Sequence, residues 1–166
     1  MGEILQSMMT NPPPSVSNPA PASVPEGEAE IRLPADARSS RQARRFFCEH
    51  AEKAGFHGDV LDDMEIAVGE AITNAIEHGC RALSDSANAS NHQVRLQMRW
   101  DESALYITIT DTGAGFYPGT AKTTVPGDNE NERGRGLFLM SHLMDDVAFV
   151  TVPDGWSVRM TKHRNH

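Results

Sequence analysis

The sequence predicts an α/β fold: a two-layer sandwich whose mixed, mostly antiparallel sheet carries about three helices on one face. Two periodicities, and the order in which they occur, predict it. Apolar residues alternate in short runs at 31–33, 94–98, 105–109, 147–152 and 157–160, as half-buried strands require. Longer runs at 36–54, 59–78 and 136–144 carry their apolar residues at helical spacing. The order is therefore β-α-α-β-β-α-β-β with no internal repeat, and 166 residues suit one domain plus a tail.

Residues 1–28 read as a disordered tail, because NPPPSVSNPAPASVPEGE buries too little apolar surface to offset its ordering entropy. The domain spans 29–166. Ile31 and Leu33 alternate as a short strand that ends at Pro34. Asp36 precedes a helix through Ala54 that buries Ala43, Phe46, Phe47 and Ala51, and Gly55 stops it. Asp59 is the expected N-cap of a longer helix that reaches His78, with Gly79 as its left-handed terminus. The apolar side of that helix collects Val60, Met64, Val68, Ala71, Ile72 and Ala75. Residues 82–91 are a polar loop. Val94, Leu96 and Met98, then Leu105, Ile107 and Ile109, form a hairpin that turns at Asp101-Glu102-Ser103. Residues 111–135 have no hydrophobic period, and a loop this long inside a compact domain is usually a lid or a binding loop. A third helix from Gly136 to Met144 leads into a last hairpin that turns at Pro153-Asp154-Gly155.

Composition excludes several functions. A net charge of −8 gives no electrostatic basis for general affinity to nucleic acid or anionic membrane. A single nucleotide needs only a local set of donors, so it stays compatible. No apolar run reaches the length of a membrane span. MGEILQSMMT lacks the pattern of a secretory signal, and Gln6 stands where myristoylation wants Ser or Thr. Cys48 and Cys80 form no CxxC pair and read as reduced thiols. His78-Gly79-Cys80 has no second ligand pair at zinc spacing. The expectation is a soluble cytoplasmic protein.

Three segments can carry chemistry. On the helix 59–78, Glu70 and Asn74 lie one turn apart opposite the apolar side, with Glu77 beside them and His78 at the border. An amide oxygen is a ligand for Mg²⁺ and a carboxylate is a base; the same pair also fits a solvated polar face. Next, the strand 107–110 runs into Asp111-Thr112-Gly113-Ala114-Gly115-Phe116. This places a carboxylate at the mouth of the sheet, and the glycines let backbone pass close to a ligand, although DxGxG also serves as a plain turn. The third segment is Arg133-Gly134-Arg135-Gly136-Leu137 at the start of a helix, where unpaired N–H groups and the dipole favour phosphate. Neither GxGxxG nor GxxxxGK[ST] occurs, so Rossmann and P-loop readings fail.

Together, in this order, the three segments resemble the boxes of the GHKL ATPases (Bergerat fold). Glu70-Ala-Ile-Thr-Asn74-Ala-Ile-Glu-His78-Gly79 is similar to their N box, Asp111-Thr-Gly113-Ala-Gly115-Phe116 to the first glycine box, and Gly134-Arg-Gly136-Leu-Phe-Leu-Met to the second. The resemblance covers about residues 30–163. Within the superfamily the chain looks most like the anti-sigma-factor serine/threonine kinases, from its size, the Asn-x-x-x-His-Gly ending and Leu143-Met144-Asp145-Asp146-Val147.

The resemblance implies a set of roles. Glu70 is the general base, and Asn74 holds Mg²⁺. Asp111 binds adenine beside Gly113 and Gly115, and Arg133, Gly134 and Gly136 face the phosphates of ATP. His78 joins the nucleotide contacts. Ser157 falls where the family has Thr near the adenine carboxylate, although Trp156 before it departs from the usual Thr. The implied substrate is an anti-anti-sigma (STAS-type) protein, with a sigma factor as competing partner and a homodimer as the usual assembly. Two other readings compete. One is an ATP-dependent binding switch with little or no transfer activity. The other is the catalytic piece of a histidine kinase, for which nothing before residue 30 supplies a phosphoacceptor helix.

Overall fold

The computed structural model describes residues 26–81, 92–112, 132–153 and 155–164, leaving aside the side chains of 78–81 and 132–134. In chain order the elements are β1 (Gly27–Pro34), α1 (Ala37–Lys53), α2 (Gly58–Arg81), β2 (Gln93–Trp100), β3 (Ala104–Asp111), α3 (Glu132–Leu143), β4 (Asp146–Val152) and β5 (Gly155–His163). The expected order holds. Among the described residues the strands form one sheet, β1-β2-β3-β5-β4, in which every pairing is antiparallel. No parallel pair gives it the mixed character expected. The excursion through α3 delivers β4 to the edge, and β5 returns between β4 and β3.

Register fixes which side chains share a face, because neighbours along a strand point to opposite sides. One row across the sheet reads Leu33, Val94, Asp111, Trp156, Thr151. The next reads Ile31, Leu96, Ile109, Val158, Phe149, and the far end carries Gly27, Trp100, Leu105 and Lys162. This is the face the helices cover. Phe47 of α1, Met64, Val68 and Ile72 of α2 and Met140 of α3 are buried in one core with Leu96, Ile107, Ile109 and Met160.

Local chemistry explains the helix ends. Asp36 caps α1, its Oδ1 accepting from the Arg38 N–H at 2.8 Å and the Ser39 N–H at 3.0 Å. The chain leaves α1 through Gly55 at φ 81°. Four expected features of the helices differ. Helix α2 starts at Gly58, so Asp59 sits in its first turn as an acid favoured by the dipole and is not the cap. The helix also runs through Gly79 to Arg81. Val60 is 37% exposed, because the buried stripe enters the helix at Leu61 and Met64. Finally, α3 begins at Glu132, so Arg133-Gly134-Arg135-Gly136 forms its opening turn and not a loop before it.

Candidate functional site

Helix α2 presents its polar pair to α3 and to one end of the sheet. Glu70 and Asn74 are both half-buried, whereas Glu77 is exposed. Opposite them lies Gly136, itself buried. A Cβ built on Gly136 would stand 2.8 Å from Glu70 Oε2 and 3.8 Å from Asn74 Nδ2. The glycine therefore permits a close approach: it lets the opening of α3 settle onto the carboxylate and the amide of α2.

Asn74 also looks into a cavity between α2 and the sheet. Ala71 and Ala75 of α2 line it, with Ile109 and Asp111 of β3, Phe149 of β4, and Trp156 and Val158 of β5. The two alanines keep the helix surface low enough to leave a gap. The enclosed space is about 20 Å³, roughly what one water needs. Asp111 is 5% exposed at the last position of β3, a carboxylate at the polar end of an otherwise apolar row of alternating residues. One end of the helix-covered face thus gathers a carboxylate, an amide, a second carboxylate and the first turn of a helix.

Ser157, expected beside Asp111, lies elsewhere. It pairs with Thr110, and the two hydroxyl oxygens are 2.6 Å apart on the face of the sheet away from the helices. Alternation along β5 explains this, since the residue in register with Asp111 is Trp156. Trp156 and Phe149 are the lining residues that sequence reasoning did not assign. The alternation of Trp156, Val158 and Met160 carries the signal for Trp156. Gly113 and Gly115 lie outside the described residues, as do the side chains of His78 and Arg133; the backbone of Arg133 and Gly134 belongs to the first turn of α3.

Other chemistries find less support. Cys48 is a free thiol, but burial pushes it up to about 11 and the neighbouring Glu65 carboxylate adds to the shift, so it is a poor nucleophile. Among the described residues no three His, Cys, Asp or Glu side chains gather as a metal cluster, and no helix is long and apolar enough to cross a membrane. An Mg²⁺ bound here would find a hard amide oxygen at Asn74, a donor type that suits this ion.

The similarity to known proteins covers most of the described region. Residues 33–162 match the family model of the histidine kinase-like ATPase domain. The serine-protein kinase RsbW of Listeria innocua is 33% identical over 142 residues, which span 81% of this chain and 86% of that protein. The RsbW of Staphylococcus epidermidis is 34% identical over 141 residues, covering 81% and 85%. Among solved structures, the RsbU and RsbW domains of Rv1364c from Mycobacterium tuberculosis superpose with a TM-score of 0.58 at 17% identity, over 84% of this chain and 33% of that one, a likeness of fold. A family match across nearly all of the ordered elements, with relatives alike over most of their length, settles descent: the chain belongs to the histidine kinase-like ATPase domain family, alongside the serine-protein kinases RsbW.

Proposed function

We propose that this chain is an ATP-dependent protein serine/threonine kinase of the anti-sigma type, which binds Mg-ATP in the cytoplasm and phosphorylates an anti-anti-sigma (STAS-type) protein. That modification would decide whether a sigma factor is held or released. The observation that carries the reading is the meeting of Glu70 and Asn74 with the opening of α3, beside the cavity that Asn74 shares with Asp111. Family membership supports ATP as the donor.

Phosphoryl transfer asks a protein mainly to position groups and to stabilise charge. Asp111 accepts from the exocyclic amine of adenine, with Gly113 and Gly115 beside the base. Arg133, Gly134 and Gly136 take the phosphates at the first turn of α3, where N–H groups have no partner within the helix. Asn74 holds Mg²⁺, which when bound neutralises charge on the phosphate oxygens. His78, one turn beyond Asn74, completes the nucleotide side. Glu70 accepts the proton of the attacking Ser or Thr hydroxyl as its oxygen bonds to the γ-phosphorus and the bond to ADP breaks.

Incubation with γ-labelled Mg-ATP and a candidate partner tests this. Label should appear on serine or threonine, and Glu70→Gln should slow its appearance by about 10²–10⁴-fold while calorimetry still registers nucleotide binding. If the wild-type chain binds ATP but labels no partner at any ratio, an ATP-dependent binding switch takes the place of the kinase.

A further inference from the structure

We propose that Trp156 contacts the nucleobase and sets affinity for it, while Asp111 sets which base is chosen. This rests on the nucleotide reading of the cavity and adds to it a residue for which no role has been assigned. Trp156 stands in register with Asp111 on the helix-covered face and walls the cavity together with Asn74. The enclosed space is about 20 Å³, smaller than a planar base, so the wall must yield on binding, and Trp156 is one of its two aromatic residues, with Phe149. An indole offers an apolar face and a single N–H donor. Stacking on such a face tolerates any base, because every base has a π-face. Asp111 offers only acceptors, so it rewards a base edge that donates. Affinity and choice are thereby divided between two residues in one register pair.

The chain has only two tryptophans, and Trp100 lies at the opposite end of the same face. Intrinsic fluorescence can therefore watch Trp156. Nucleotide should change the emission of the wild type and of Trp100→Phe, and Trp156→Phe should abolish the change even if Trp100→Phe fails to fold. By calorimetry, Trp156→Thr should bind Mg-ATP and Mg-GTP about 5- to 100-fold more weakly with their ratio kept, and Trp156→Phe should lose less. Equal or tighter binding by Trp156→Thr would make the indole a plug and overturn the proposal, leaving ATP binding in place. An unchanged emission in a wild type that binds by calorimetry would overturn it as well. No heat from the wild type with either nucleotide would remove the nucleotide reading itself.

Discussion

The two tryptophans mark opposite ends of one face of the sheet, and their surroundings differ. Trp100 is 8% exposed and lies over Gly27 so closely that a Cβ there would meet its ring at 2.3 Å; His50 of α1 is 6.4 Å away, centroid to centroid. At that end Lys162 Nζ donates to Leu143 O at 3.0 Å and to Asp145 Oδ1 at 3.3 Å. Trp156 is half-buried and shares its cavity with a carboxylate and an amide. Each end also contains a glycine that permits close approach: Gly27 under a stiff ring, Gly136 against the tip of a flexible glutamate. The same sheet is closed by packing at one end and left with a small cleft, holding one carboxylate and one amide, at the other. Stability should therefore respond to changes at the first end, and activity to changes at the second.

The largest expected effect lies at the closed end. Trp100→Ala should lower stability by about 3–5 kcal/mol, as truncating a packed aromatic does, while the folded fraction keeps its nucleotide affinity. Chemical denaturation and calorimetry at low temperature measure the two separately. A loss under about 1 kcal/mol would break the contrast. Gly27→Ala sharpens it from the other side of the contact. The added methyl meets an aromatic ring that cannot bend, so roughly 1–3 kcal/mol of stability should go, again without change at the cleft.

At the other end Gly136→Ala should do the reverse. Its methyl would meet Glu70 Oε2, the far end of a flexible chain that can swing aside. Folding should change by less than about 1 kcal/mol, the more so because alanine favours a helix. Transfer should still fall about tenfold, since a displaced base is misaligned for proton abstraction. Paired stability and turnover measurements decide it; a fall in stability that matches the fall in turnover would mean the glycine serves packing alone.

Much of this arrangement is legible in the sequence, and the exceptions have physical causes. Alternation and helical spacing give the element order, and Asp36 and Gly55 bracket α1 as their chemistry demands. Glu70 and Asn74 can be paired from their i, i+4 spacing alone. The start of α3 cannot be read this way. Arg133-Gly134-Arg135-Gly136 has no apolar period, and glycine disfavours a helix by about 1 kcal/mol, yet here contact with α2 outweighs propensity. The resemblance puts Ser157 beside Asp111, whereas the pairing sets it against Thr110, on the other face of the sheet. Extending the alternation of Val158 and Met160 back by two residues puts Trp156, not Ser157, beside Asp111.

The smallest effect tests whether a residue near the cleft end must serve the cleft. Asp36 follows β1, whose Leu33 shares the row of Asp111, and begins α1. The Ser39 backbone N–H holds its carboxyl below the ordinary carboxylate range; desolvation opposes this, and the Ser39 hydroxyl and Arg38 N–H reinforce it. A depressed folded pKa means that the cap stabilises the fold above the unfolded value, about 3.9, and ceases to do so as pH falls through the folded one. Asp36→Ala should lower the melting temperature by roughly 3–4 °C at pH 7, and the gap to the wild type should narrow as the pH drops below about 4. Turnover at 25 °C should not move. A gap that persisted at low pH would show that the carboxylate is not what holds the helix end, and a fall in turnover would extend the functional end of the sheet to the start of α1.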